Sequence, residues 1–207
     1  PSQHQGYFLD VGDQENVKNV FTAISEKFGC LDGLVNNASF TAKSASPHFF
    51  EPTESFPLED WDSVIRVGLT GAFLCSKSAL PLMKNRSASI VNISSIYGVL
   101  APSPSFYEGL SFNTPAVYGA IKSGILGFTR HLASELGKNN IRVNAISPGG
   151  IYHNHEDPFY SRYIAKTALG RMNNVDEISG ALIYLLSEAS SGVTGQNIVI
   201  DGGFTIK

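Results

Sequence analysis

The sequence predicts an α/β fold, a doubly wound and mostly parallel sheet covered by helices on both faces in three layers. Short runs of Ile, Val and Leu alternate along the chain with longer stretches of helical apolar spacing, the order that a parallel sheet with crossover helices requires. The strand candidates are continuous apolar runs, as strands buried on both faces are. Polar or glycine-rich signals follow them, at the carboxyl ends where open parallel sheets hold ligands.

Each element follows in order. Tyr7 to Val11 is the first strand candidate, and Gly12-Asp13 after it is a turn and N-cap signal. Val17, Val20, Phe21, Ile24 and Phe28 recur at helical spacing, and Gly29 is placed to stop that helix. Leu34-Val35 forms the core of a second strand that runs into Asn36-Asn37-Ala38. Thr41 to Pro57 is a polar and aromatic loop, and Leu58 to Met83 a helix interrupted around Gly68 and Gly71. Ile90 to Ile93 is a third strand, and Ala101 to Pro115 a loop rich in Pro and Ser. Ala116 to Lys138 is a long helix and Ile141 to Ile146 a fourth strand. Pro148 to Asn174 is a loop region with one short helix. Val175 to Ser187 is helical, with Ile178, Leu182 and Leu185-Leu186 on one face, and Ile198 to Ile200 is the last strand. No internal repeat appears, so residues 1–207 are expected to form one domain, with a substrate lid at 151–174.

Bulk properties narrow the function. A charged fraction of 16% falls below the usual quarter and implies a surface partly covered, as by other subunits. A net charge of −3 gives no electrostatic footprint for nucleic acid or an anionic membrane. No apolar run approaches the length of a membrane span. Cys30 and Cys75 lie far apart and read as buried thiols in a reducing, cytoplasmic compartment, with neither disulfide nor metal spacing.

The chemistry centres on Tyr118 and Lys122, four residues apart on one helix face, after a strand that ends in Ser94-Ser95. A free tyrosine titrates near pH ~10. A neighbouring ammonium favours the tyrosinate, and a serine hydroxyl at a strand end holds a carbonyl or alcohol oxygen within reach of the phenol. Alone, the pair also reads as an ordinary amphipathic tyrosine and a solvated lysine. It gains weight from Asp10, Asn36-Asn37-Ala38-Ser39, Ser94-Ser95 and Pro148-Gly149-Gly150, which all fall at strand ends on one rim.

Together these residues make the chain resemble the short-chain dehydrogenase/reductase family over essentially its whole length. The matching motifs are Asp10-Val11, Asn36-Asn37-Ala38, Ile93-Ser94-Ser95 and Tyr118-Gly119-Ala120-Ile121-Lys122. Further along they are Ile141-Arg142-Val143-Asn144 with Ser147-Pro148-Gly149, and Thr194-Gly195-Gln196 with Val199 to Gly203. The likeness extends to bacterial members resembling flagellin-modification and surface-polysaccharide sugar oxidoreductases. Those share Tyr97-Gly98-Val99, a long insertion before the tyrosine, and Pro148-Gly149-Gly150-Ile151.

The resemblance implies a Rossmann-like fold and NAD or NADP as cofactor. It implies hydride transfer at a carbonyl or secondary alcohol of a sugar or sugar nucleotide, by a cytoplasmic homotetramer or homodimer. Residue by residue, it implies Tyr118 as general acid or base, Lys122 lowering its pKa and holding the nicotinamide ribose, and Ser95, ahead of Ser94, orienting the reacting oxygen. Asp10 and Val11 would meet the adenine ring, and Asn37 and Ala38 would pass close to the adenine-side ribose. Pro148 and Gly149 belong to the cofactor rim, and Ile151 would bond the carboxamide through its backbone. No metal is implied.

Four departures stand out. The family's opening strand, its Gly-x-x-x-Gly-x-Gly loop and its next strand do not precede Tyr7. The resemblance thus implies an N-terminally incomplete domain, whether the sequence starts inside a longer gene product, the segment was not resolved, or the protein is truly truncated. Gly68 stands where the family places an asparagine whose carbonyl anchors a water in the lysine's proton relay. Ser39 replaces a usual glycine. The insertion from Leu100 to Pro115 forms either a flap beside the site or a surface excursion. Gly68 and the missing loop motivate the alternative reading, a non-catalytic dehydrogenase-like subunit or ligand sensor.

Other signals carry less. His153-Asn154-His155 reads as polar residues at the pocket mouth, since no zinc spacing surrounds it. A hydrolase built on Ser95 and His131 lacks the Gly-x-Ser-x-Gly elbow. Phe159 and Tyr160 beside Arg162 and Lys166 suit a lid over a sugar or nucleotide phosphate, and suit core aromatics with solvated cations equally. Phe73, Leu74, Leu80, Ile125, Leu126, Phe128 and Leu132 exceed what one buried helix face needs, which predicts burial against symmetric copies.

Overall fold

The computed structural model describes residues 4–40, 45–155 and 157–207. Four strands, β1 (Gly33–Asn36), β2 (Ala88–Ile93), β3 (Ile141–Pro148) and β4 (Asn197–Ile200), pair in that order and all run parallel. Leu34, Ile90 and Val143 stand side by side across the sheet, as do Ile93, Ile146 and Ile198. The helices are α1 (Gln14–Phe28), α2 (Leu58–Ile65), α3 (Gly71–Met83), α4 (Ala116–Leu136), α5 (Phe159–Ile164) and α6 (Val175–Leu186). None of the described helices is long and apolar enough to cross a membrane.

Strand alternation divides the core between two faces. Ile90 and Val143 pack with Val17 and Phe21 of α1, Leu74 of α3, and Leu132 and Leu136 of α4. Val91 and Ile146 point the other way, onto Ile178, Leu182 and Leu185 of α6. Full burial of each such side chain contributes about 1.5–3 kcal/mol. The three expected layers result. The chain steps across the sheet in one direction throughout, yet α6 covers the face opposite to α3 and α4. The crossover from β3 to β4 therefore has the opposite hand to the two before it.

Local signals account for the helix ends. Asp13 caps α1 by accepting from the Glu15 and Asn16 amides at 2.9 and 3.1 Å, and Gly29 closes it in the left-handed conformation at φ 74°. The helical stretch from Leu58 breaks at a π-turn over Arg66–Thr70. Gly68 sits in that turn, where a Cβ would lie 2.6 Å from Ile121 Cδ1 of α4. A π-turn of this kind is often a functional feature.

Several expectations are corrected. Tyr7 to Asp10 is not a strand, and Val11-Gly12 is already a turn: no described strand runs alongside to supply a ladder. The stretch read as a polar and aromatic loop has no helix or strand over residues 45–57, and residues 41–44 lie outside the described residues. The remainder is a packed aromatic cluster, with Phe49 buried among Phe40, Phe50, Phe56 and Trp61 and against Val117 and Ile121 of α4. The apolar excess on α3 and α4 is largely absorbed within the chain. Leu74, Ile125, Leu126 and Leu132 are buried, Leu80 and Phe128 are partly so, and Phe73 alone of that set stays 48% exposed, edge-on to Phe128.

Candidate active site

The site grows from the end of β2. Beyond Ile93, the Ser94 hydroxyl donates to the Lys122 carbonyl at 2.8 Å. Ser95 begins a short 3-10 turn over Ile96–Gly98, its hydroxyl accepting the Tyr97 amide at 3.1 Å. The Ser123 hydroxyl donates to the Gly98 carbonyl at 3.1 Å, so this turn lies directly on α4. Ser94 is thus committed to structure, which leaves Ser95 as the serine facing the pocket with Tyr118.

Tyr118 stands in the first turn of α4, its ring edge-on to Tyr97 at 6.4 Å. One turn later, Lys122 is buried at 7% exposure. Its ammonium donates to the Ile93 carbonyl at 3.1 Å and sits 5.6 Å from the centre of the Tyr118 ring. Ser95, Tyr118 and Lys122 are therefore brought together, as their spacing predicts.

Their electrostatics differ from expectation. Burial pulls the Lys122 ammonium down to about 8. Tyr118 is held above the ordinary tyrosine value, because burial outweighs the lowering influence of the Ser95 side chain. Lys122 does not lower it as expected: the ammonium lies over the ring face and on a backbone carbonyl. The phenol is therefore held protonated.

The other predicted residues fall on the same rim. Asn36 donates to Asn92 at 2.8 Å and to Ser76 at 3.0 Å, fixing the strand end from which Asn37 and Ala38 emerge, both exposed. Asp10 accepts the Gly12 amide at 2.9 Å, and Val11 packs against Gly71, where a Cβ would come within 2.7 Å of it. Pro148 ends β3, the Gly149 amide donates to the Ile200 carbonyl at 2.8 Å, and Ile151 bridges to Asn173.

Tyr163 explains the paired glycines, and sequence reading missed it among the aromatics of the lid. It is 3% exposed, stacks on Phe204 at 4.7 Å, and accepts the Gly150 amide on its hydroxyl. A Cβ on Gly149 would lie 2.8 Å from Asp201 Cα, and one on Gly150 would lie 2.9 Å from Tyr163 Cζ. Both positions need glycine, because Asp201 crowds the first and the Tyr163 phenol the second.

A cavity of about 300 Å³ opens between Ser95, Tyr118, the glycine pair and an aromatic wall that includes Phe50, Tyr97, Tyr107 and Phe159. The insertion does border the site, through Tyr107, Asn113, Thr114 and Pro115. Tyr107, Asn113 and Thr114 also line a neighbouring cavity of about 430 Å³. His155 stands at the wall as expected, and burial with the nearby His153 holds its pKa below the usual histidine value. Arg162 acts as a strut here: its guanidinium Nη1 donates to the Phe106 and Glu108 carbonyls at 3.2 and 2.7 Å. Lys166 is exposed. His131 lies outside on α4, 3.5 Å from Glu135. No cluster of potential metal ligands occurs among the described residues.

Comparison with known proteins agrees with this geometry. The family model described as enoyl-(acyl carrier protein) reductase matches residues 2–205. A 3-oxoacyl-[acyl-carrier-protein] reductase FabG of Thermotoga maritima is 36% identical, covering 100% of this chain and 79% of that protein. An NADH-dependent L-xylulose reductase of Ambrosiozyma monospora is 34% identical over 96% of this chain and 72% of its own length. Among solved structures, a short chain dehydrogenase of Leptospira borgpetersenii with bound NAD+ superposes with a TM-score of 0.86 at 38% identity, covering 96% of this chain and 74% of that one.

Proposed function

The chain belongs to the short-chain dehydrogenase/reductase family, and from that premise we propose that Tyr118 carries the proton of an oxidation or reduction at a sugar-like carbonyl or secondary alcohol. It is an NAD(P)-dependent oxidoreductase. The observation that carries the reading is the meeting of Ser95, Tyr118 and Lys122 at one pocket wall, with the phenol held protonated by burial.

The residues present fit a nicotinamide nucleotide. Lys122 uses one of its three ammonium protons on Ile93, which leaves donors for a ribose. Asn37 and Ala38 lie open at the rim. Asp10, Val11, Pro148, Gly149 and Ile151 would complete the holding set. Nicotinamide, when bound, supplies or accepts the hydride. The chain's own part is to hold the substrate oxygen on Ser95, to give or take its proton at Tyr118 Oη, and to place a positive charge nearby at Lys122.

A role in surface-glycan or flagellin modification is supported by Tyr97-Gly98-Val99, whose glycine is pressed against α4, and by the Pro148 to Ile151 run. Cytoplasmic residence is supported by the free thiols Cys30, half-buried, and Cys75, buried and pushed up to about 11. The test is nicotinamide-linked turnover by the full-length protein, with NADH and NADPH, on ketoses and their polyols. Turnover of such a pair supports the reading; inertness toward every carbonyl and alcohol tried would overturn it.

A further inference from the structure

The insertion carries more than a boundary. Tyr97 Oη lies 3.2 Å from Tyr107 Oη, which lies 2.6 Å from Thr114 Oγ1. All three residues line the cavity that holds Ser95 and Tyr118. Three hydroxyls bring three protons, and two bonds within the row consume two of them. One proton is left over in the row, with no acceptor among the described residues.

Spare accepting capacity lies beside it. Asn113 Nδ2 donates to the Phe50 carbonyl at 2.8 Å, which fixes the amide so that Oδ1 is the free end. That oxygen is buried without a partner, as is Nδ1 of His155 across the pocket. Unsatisfied buried polar atoms are costly, and functional sites are where they persist. A spare donor with a spare acceptor at Asn113 Oδ1 matches a group that is both, which is a hydroxyl. The reacting end of a 3-oxoacyl thioester offers acceptors only.

The row is also held rigidly. The Tyr107 ring packs on Phe112 at 6.0 Å and on Phe159 at 5.7 Å, and Arg162 ties the insertion to α5 through the Phe106 and Glu108 carbonyls. A cavity of about 300 Å³ is at the small end for a ligand site.

We propose that the hydroxyl row Tyr97–Tyr107–Thr114 is the substrate-selecting wall of the site, and that it selects a small carbonyl compound or alcohol bearing further hydroxyl groups over an acyl thioester. The inference rests on the oxidoreductase reading and adds the substrate class and the residues that choose it. Tyr107 is its centre, because it alone bonds to both other hydroxyls.

The test compares a ketopentose, 2-pentanone and an acetoacetyl thioester as substrates of the full-length protein and of its Tyr107→Phe and Thr114→Val variants. Tyr107→Phe keeps the ring against Phe112 and Phe159 and removes only the central hydroxyl. The ketopentose is expected to be preferred over both other substrates. The ratio of kcat/KM for ketopentose over 2-pentanone should fall about tenfold or more in Tyr107→Phe, and less in Thr114→Val. An equal loss on both ketones would make Tyr107 a packing residue and overturn the proposal. So would a preference of the unaltered protein for 2-pentanone or the thioester, either of which would leave the oxidoreductase reading standing. Failure on all three substrates would instead remove the oxidoreductase reading and this one with it.

Discussion

The Ser94 hydroxyl donates to the main-chain carbonyl of Lys122 at 2.8 Å, pinning the end of β2 to the helix that carries Tyr118. Gly98 packs onto that joint. A Cβ there would lie 2.6 Å from Ser94 Oγ and 2.7 Å from the Lys122 oxygen, and the backbone has nowhere to move. Gly98→Ala is therefore expected to cost about 2 kcal/mol or more in urea unfolding. Gly68→Ala meets only the terminal methyl of Ile121 and gains helix propensity of about 1 kcal/mol, so it should be near neutral. Equal effects of the two would show that the joint is not tight.

Tyr118→Phe should abolish turnover while cofactor affinity stays nearly unchanged, since the ring contact with Tyr97 is kept and only the proton donor is lost. Lys122→Ala should lose both turnover and cofactor affinity. Fluorescence titration with NADH separates the two, and near-normal turnover of Tyr118→Phe would remove the assigned acid.

Lys122 also has a pH signature. Its pKa is about 8 in the fold and ~10.4 when unfolded. Between those values the unfolded chain binds more protons, so stability from this group rises with pH across that window. Below about pH 8 the burial cost of the ammonium is fully present, on the order of 3 kcal/mol. The Lys122→Met variant lacks that cost. Its stability relative to the unaltered protein should therefore be highest at pH 7 and decline toward pH 10. A difference that stays flat across this range would mean that Lys122 is not desolvated.

Tyr163→Phe tests the link between the lid and the Pro148–Ile151 rim. Losing the hydroxyl strands the Gly150 amide, at about 1–3 kcal/mol, while stacking on Phe204 is retained. The expected result is a several-fold rise in the NADH dissociation constant with kcat little changed. A change in kcat alone would place Tyr163 elsewhere in the reaction.

Val175, Ile183, Tyr184 and Leu186 of α6, with Val199 on β4 and Ile206, are exposed, and Phe73 is left open on α3. Surfaces of this kind are covered in symmetric oligomers. Light scattering should report at least a dimer, and Ile183→Asp should shift it toward the monomer. A monomeric unaltered protein would refute the assignment.

Much of this was legible from the sequence. Leu34-Val35, Ile90–Ile93 and Ile141–Ile146 were plain because strands covered on both faces are apolar throughout. The spacing of Tyr118 and Lys122, with Ser95 at a strand end, pointed to the pocket wall where the three residues meet. Tyr7–Val11 misled because a strand needs a partner, which its own residues cannot specify. The raised Tyr118 pKa was hidden because it depends on how deeply the packed site buries the phenol. The brace made by Arg162 was not legible because the carbonyls it serves lie in a distant loop. The burial of Phe49 within its loop was not legible because its packing partners, Val117 and Ile121, belong to another element.

Arg162 has a consequence for anyone retargeting this fold. By gripping the carbonyls of Phe106 and Glu108, it makes the insertion and the α5 segment one mechanical part, although the chain visits them separately. Libraries that randomise either segment alone would keep half of a matched lock. Grafting both together, with Arg162 and Tyr107 retained, is the way to move this pocket onto a related scaffold.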